Sequence, residues 1–446
     1  MLPDRVLEDV GEGLTGFHVD RLEGRALVEL THRVGIDPPT WSAFMTNSCG
    51  GETIEVVAAT DRDTEVRMVG PWVTVLDEQD KRIEIVTDFG AGPRHELGTG
   101  VIGCPIPIAD GLAFERNDGT VWFQPNPSDP GSAPQLLLEG SAVSDPDGST
   151  GLDGCPFHDA DLFRDGDSDG LLVLTDEGSI VRVSPDGAPE PVVEGPVQSF
   201  EALSNPRYVA WLRDGDHHRL IRDRDTGFDR DLWREIDPEW GSGRFTSLPG
   251  DRWVTFHGPF HNPSHINTVL IDLENVDLEN DRLKTFNHAV DFHGSLSPTQ
   301  LVISLWSETG IYDTETKQTQ WFDMVPPEHG RVEAGWVASD VSPYEQVFTM
   351  LLLPSDGGPV EVLGEDLGRR FEVTDDGTLI HHETTDTDPH PPLTLRPRQG
   401  EPGVLAEDVV QFQLLRTADT PSGEHEELFY AITEGEDAGL WRHELP

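Results

Sequence analysis

Lysine is nearly absent from this chain. Of 446 residues only Lys81, Lys284 and Lys317 are lysines, and the 31 basic residues of both kinds face 83 Asp plus Glu, a formal net charge of −52. The acids are scattered over the whole length and form no tail. A field of that sign repels phosphate backbones and anionic lipid, which argues against nucleic-acid and membrane-surface binding. It leaves a solvated acidic surface suited to salty surroundings, or attraction for cations or a basic partner. Screening by salt is expected to stabilise the fold.

Long hydrophobic runs are missing too. The longest, Val347-Phe-Thr-Met-Leu-Leu-Leu353, falls far short of the roughly 18 residues of a membrane span. The start, Met1-Leu-Pro-Asp-Arg-Val-Leu-Glu-Asp-Val10, has neither the basic nor the apolar region of a signal peptide. A soluble chain without membrane insertion is expected, either cytoplasmic or with its leader already removed. Cysteine is scarce: Cys49, Cys104 and Cys155 leave at least one thiol unpaired. Gly103-Cys104-Pro105 and Gly154-Cys155-Pro156 repeat one tripeptide 51 residues apart. At matching sites of neighbouring repeats they form a disulfide if their Cα atoms come within about 7 Å, and are two buried thiols otherwise. A periplasmic or secreted, extracytoplasmic setting fits the paired tripeptides.

Two catalytic signatures are lacking: no His-Glu-x-x-His and no Gly-x-x-x-x-Gly-Lys. Gly98-Thr-Gly100-Val-Ile-Gly103 matches the dinucleotide fingerprint on paper. That fingerprint works by opening a helix toward a pyrophosphate, and Cys104-Pro-Ile-Pro107 argues against a helix there. A turn between sheets is expected.

What the chain does have is a recurring phrase, a turn followed by a β-branched or aromatic run. It occurs as Ser204-Asn-Pro-Arg-Tyr-Val-Ala-Trp211, Pro249-Gly-Asp-Arg-Trp-Val-Thr-Phe256, Ser297-Pro-Thr-Gln-Leu-Val-Ile-Ser304 and Ser342-Pro-Tyr-Glu-Gln-Val-Phe-Thr349. The spacings are 45, 48 and 45 residues, the length of one strand-rich propeller blade. Such units pack only on their neighbours, so a long chain needs no single large core. Units are expected at 197–236, 242–286, 288–323 and 331–365, with two weaker ones after them. Others precede them from Val66 onward, beginning with the hairpin Pro71–Leu76 and Arg82–Val86. Residues 1–65 read as an irregular segment that contributes a strand to ring closure, pairing with Gly439–Leu445. The expected fold is an all-β, single-domain propeller over 66–446 with four-stranded antiparallel blades, eight favoured and seven next.

Ser297-Pro-Thr-Gln-Leu-Val-Ile-Ser304, followed by Gly310-Ile-Tyr-Asp-Thr-Glu-Thr-Lys317, resembles the TolB-like (WD40-like) propeller repeat. The copy at Ser204, ending in Arg222-Asp-Arg-Asp-Thr-Gly227, is similar. The resemblance covers about 250 residues and implies a ring of blades with a protein-, peptide- or carbohydrate-binding surface. It transfers no catalytic residue.

Two patterns suggest chemistry. Asp165-Gly-Asp167-Ser-Asp169-Gly170-Leu171, with Asp176 beyond it, has the twelve-residue spacing of a Ca²⁺ loop. There oxygens alternate on a tight turn, a backbone carbonyl stands at Leu171 and a carboxylate closes the set. The strand-like Leu171-Leu-Val-Leu174 excludes an EF-hand, and the segment resembles the calcium loops of FG-GAP-type blades; an acidic hairpin turn is the alternative. His257, His261 and His265 recur every fourth residue, and His288 and His293 follow. Imidazoles bind transition metals, but Gly258, Pro259 and Pro263 exclude the helix that would align them. Trp233, Trp240 and Trp321 are candidates for stacking on a sugar or peptide. Two functions follow. One is a non-catalytic binding or scaffold protein with an acidic surface, stabilised by Ca²⁺. The other is a metal-dependent lyase or hydrolase with a site lined by His257, His261, His265 and His293.

Overall fold

The computed structural model describes the chain apart from residues 1–3, 9, 11–13, 23–24, 34–39, 48–52, 61–63, 70–71, 78–81, 87–94, 130, 142–161, 166–169, 204, 214–218, 232–243, 249–251, 260–265, 274–283, 287–289, 298, 306–307, 323–330, 342–347, 356–357, 368–370, 383–391, 417–424, 434, 436 and 446. Among the described residues the regular elements are all strands, gathered into ten four-stranded sheets. Nine are meanders whose strands lie side by side in chain order, at 14–60, 64–99, 101–139, 162–193, 197–231, 244–286, 291–322, 331–367 and 371–406. The tenth takes three strands from 409–444 and its last from the other end of the chain. There Asp4–Leu7 pairs antiparallel with Gly439–Glu444, Asp4 opposite Arg442. A four-stranded meander repeated in series is the strand order of propeller blades.

Ten sheets replace the eight units expected. Residues 14–60 account for part of the difference, since they hold a complete sheet in a stretch that read as irregular. It lacks the Ser-Pro of Ser297-Pro298 and the Asp-x-x-Thr-Gly of Asp223–Gly227. Its strands nevertheless keep a two-residue period: Phe17 and Val19 are buried while His18 between them is exposed. The units expected at 197–236, 242–286, 288–323 and 331–365 coincide closely with the fifth to eighth sheets.

The chain divides into two compact units. One is Met1–Val73, Asp88–Gly92 and Leu296–Pro446; the other is Thr74–Thr87 and Pro93–Ser295. Within each, the cores lie between successive sheets. In the second unit, strand Leu171–Leu174 is buried at every position, and its alternate side chains serve different neighbours. Leu171 and Val173 join Ala113, Val121 and Phe123 of the third sheet. Leu172 and Leu174 join Val209, Trp211 and Leu220 of the fifth. A continuous apolar run is what a strand buried on both faces requires. Each such side chain contributes about 1.5–3 kcal/mol.

The first unit repeats the device. Leu428 and Tyr430 face Ile380 and Leu393 of the ninth sheet, while Phe429 and Ala431 face Val19 and Val28 of the first. The seam between the tenth and first sheets is also polar. Gln413 Oε1 accepts from the Val19 N–H at 2.8 Å, and its Nε2 donates to the Val19 carbonyl at 3.2 Å. Gln411 makes the same pair of contacts with Phe17. Two side-chain amides thus copy a strand ladder across the seam.

The recurring phrase has a physical role. In the fifth and sixth sheets the arginine after the turn forks onto the Asp that ends the third strand. Arg207 holds Asp223 at 2.9 and 2.5 Å, and Arg252 holds Asp272 at 3.0 and 2.9 Å. In the seventh sheet Thr299 stands where the arginine would be, and Asp313 instead accepts the N–H groups of Glu315 and Thr316 at 3.0 and 2.7 Å.

Candidate functional site

The same two-residue period that builds the core between the fourth and fifth sheets puts arginines at its rim. In strand Ile180–Val183, Val181 and Val183 pack toward the third sheet, so Ile180 and Arg182 face the fifth. In strand Arg219–Asp223, Leu220 packs toward the fourth sheet and Arg222 shares its face. Arg224 follows in the next turn, and Arg207 opens the second strand beside it. The four guanidinium groups line a cleft of about 790 Å³ whose other walls include Pro191, Val192 and Pro206.

Buried carboxylates hold three of these arginines. Asp165, 4% exposed, lies between two of them: its Oδ2 accepts from Arg182 Nε at 2.6 Å and from Arg224 Nη2 at 3.1 Å, and its Oδ1 accepts from Arg224 Nη1. Burial works against ionisation of Asp165, yet the hydrogen bonds from Arg224 and Arg182 prevail and hold its carboxyl below the usual range. Asp223 is fully buried, and hydrogen bonds from Arg207 pull it down to about 2 against the effect of burial. Arg222 forks onto Asp229 at 2.7 and 2.5 Å, which raises its own pKa, and donates to the Val192 carbonyl at 2.5 Å. That last bond crosses from the fifth sheet to the fourth.

Two further acids touch the arginines only loosely. Asp225, 72% exposed, is 3.4 Å from Arg207 Nε, and Glu190, 71% exposed, is 4.0 Å from Arg182 Nη1. Contacts of that kind in water are weak. The cleft therefore offers anchored guanidinium donors, which suit a carboxylate or other planar oxyanion, beside two exposed carboxylates that suit a cation.

The residues singled out in the sequence are distributed otherwise. Asp165 precedes strand Leu171–Leu174 and Asp176 follows it. Four extended residues span about 13 Å, so the two carboxylates stand at opposite ends of a strand and are not brought together. Leu171 pairs in the sheet with Arg164 and Val183, and Asp176 donates its N–H to the Gly140 carbonyl at 2.8 Å. Asp167 and Asp169 lie outside the described residues. Gly170, which the calcium pattern requires for a sharp turn, has a different use here: a Cβ on it would stand 2.9 Å from Arg182 Nη2. As a set, Asp165, Leu171 and Asp176 do not fit one Ca²⁺ ion, whose oxygens must converge at about 2.3–2.6 Å.

His257 belongs to strand Trp253–Pro259 and His293 to strand Asp291–Ser297, in different sheets. His261, His265 and His288 lie outside the described residues. His293 is half-buried, and burial lowers its pKa. Among the described residues no group of three or more His, Cys, Asp or Glu is arranged to hold a metal. Cys104 lies in strand Val101–Ile108, while Cys49 and Cys155 fall outside the described residues. Gly100, at φ +68°, turns the chain between strands His95–Thr99 and Val101–Ile108, and no helix follows it. Trp321, 39% exposed, lies over Gly310; Trp233 and Trp240 are outside the described residues.

Sequence reasoning passed over Arg182, Arg207, Arg222 and Arg224. For Arg182 and Arg222 a usable signal was present: a cation inside a strand two residues after a buried apolar side chain, in a chain so poor in cations.

No family model matches the chain, and no curated protein matches it. Among solved structures, Kluyveromyces lactis Hsv2 is similar at 10% identity and a TM-score of 0.36, over 72% of this chain and 98% of that one. Porphyromonas gingivalis dipeptidyl peptidase 4 is similar at 10% identity and 0.40, over 82% and 56%. A puromycin-hydrolyzing peptidase of Mycobacterium tuberculosis is similar at 13% identity and 0.31, over 89% and 61%.

Proposed function

We propose that this chain is a non-catalytic binding protein, a TolB-like β-propeller scaffold with an acidic surface, which captures a protein or peptide partner in the arginine-lined cleft of its fourth and fifth sheets. One observation carries the reading. Four guanidinium groups converge on a cleft of about 790 Å³ in a chain of net charge −52, three of them anchored by Asp165 and Asp223, which are buried. Locking a recognition group by buried partners lowers the ordering cost of binding. The TolB-like assignment is supported by the shared turn of Asp223 and Asp313, each of which accepts a backbone N–H two residues on.

Affinity selection of random synthetic peptides with both ends free, read by mass spectrometry, tests this. The parent protein is expected to enrich a defined set that the Arg182→Gln variant does not retain. Asp165 keeps Arg224 in that variant, so its unfolding midpoint is expected to stay near the parent's. No enrichment, or equal retention by the variant, overturns the reading. Metal analysis of the purified protein separates it from a lyase or hydrolase at His257, His261, His265 and His293. Stoichiometric zinc or manganese would favour the enzyme. A calcium ion on Asp167 and Asp169, and an extracytoplasmic setting with a Cys104–Cys155 disulfide, belong to the same proposal. Calcium titration and thiol labelling of the denatured, unreduced protein test them.

A further inference from the structure

We infer that the ligand of the arginine cleft is a basic peptide with a free C-terminal carboxylate, held by its carboxylate on Arg182 and Arg207 and by its cationic side chains on Asp225 and Glu190. The inference rests on the reading of the cleft as a recognition site.

Three observations lead to it. First, the donors have capacity to spare. Arg182 donates to Asp165 through Nε, and Arg207 to Asp223 through Nε and Nη2. Among the described residues no hydrogen bond uses either terminal nitrogen of Arg182 or Nη1 of Arg207, and both side chains line the cleft. A carboxylate matches that planar geometry. Second, the cleft is not simply cationic. Glu190 and Asp225 are 71% and 72% exposed and stand beside those same arginines. In the free protein they lie where a ligand carboxylate would compete with them, and on swinging away they present charge to a cation. Third, the molecule as a whole carries −52, so each extra negative charge on a ligand raises the cost of approach and each positive charge lowers it. A ligand that satisfies all three is cationic overall and ends in a carboxylate. Size separates a peptide end from a free basic amino acid: about 790 Å³ is the scale of pockets for ligands several times larger than one amino acid.

Calorimetry with four probes tests it: an N-acetylated pentapeptide containing two lysines with a free C-terminus, the same peptide amidated, a version with two glutamates and a free C-terminus, and free arginine. The basic free acid is expected to bind at least tenfold more tightly than its amide and than free arginine, and the glutamate peptide not to saturate at millimolar concentration. In Arg182→Gln the difference between acid and amide should collapse. In Glu190→Gln with Asp225→Asn both basic peptides should weaken together, and the parent's affinity should fall as salt rises. Equal affinity for acid and amide, or a preference for the glutamate peptide, overturns the inference. So does an Arg182→Gln variant that binds like the parent while unfolding at the parent's midpoint, since a folded protein then binds without that arginine. If the random selection yields binders without a basic C-terminus, the cleft reading stands and this inference fails. If it yields none, both fail.

Discussion

Replacing Glu426 by Gln should make the protein more stable in alkali and leave it unchanged in acid. Glu426 is 4% exposed and precedes strand Glu427–Ile432, where both its carboxylate oxygens accept the Asp375 N–H, at 3.0 and 2.9 Å. Burial raises its pKa from 4.5 to about 7. The Asp375 N–H and Arg416 oppose that rise, and the charges of Asp375 and Asp376 add to it. A carboxyl whose pKa is raised on folding stabilises fully below its unfolded value, and that contribution is lost as pH rises through the folded value. The relevant window runs from about 4.5 to about 7. Across it the full shift would amount to about 3 kcal/mol, which relaxation and water entry reduce to about 2 kcal/mol. Glutamine keeps the acceptor for Asp375 and removes the titration. Denaturant midpoints of parent and variant should therefore run parallel below pH 4, diverge between pH 4.5 and 7, and stay apart to pH 8.5 with the variant higher. A constant gap across that range, or a variant that loses stability in alkali as steeply as the parent, would refute the assignment of a buried, protonated Glu426.

Three other outcomes are expected. Asp223, held near 2 by Arg207, contributes stability above its ordinary pKa of 3.8 that is lost as pH falls through about 2. Because Arg207 is 41% exposed, Asp223→Asn should cost about 1 kcal/mol at pH 7 and nothing at pH 1.5, by urea unfolding. Gly170→Ala places a Cβ 2.9 Å from Arg182 Nη2 and 3.0 Å from its Cζ. The arginine should swing off Asp165, lowering affinity for the basic peptide severalfold while the unfolding midpoint holds through Arg224. Calcium should raise the melting temperature more than sodium at equal ionic strength, through an ion on Asp167 and Asp169, since Asp165 already has two guanidinium partners; equal effects of the two salts would remove that ion from the proposal.

Much of the fold is legible in the chain because strand chemistry is local. Leu171-Leu-Val-Leu174 reads as a doubly buried strand from its apolar continuity, and Ser297-Pro-Thr-Gln300 reads as a turn from its residue types. The sheet at 14–60 was missed since its turns carry no phrase in common with the others, and a count based on phrases passes over a sheet that lacks them. The calcium pattern shows a related limit. Spacing along the chain says nothing of direction, and the extended run 171–174 carries Asp176 away from Asp165.

By itself the sequence determined that strands would form in repeated groups and that the surface would be acidic, since alternation, turn residues and net charge act within a few residues or over the whole molecule at once. Only the tertiary structure decided which charges meet. Arg182 and Arg224 are 42 positions apart and share one buried carboxylate because two neighbouring sheets pack face to face. Pairing energy of that kind depends on distances of a few ångströms across a seam, which no local pattern of residues encodes.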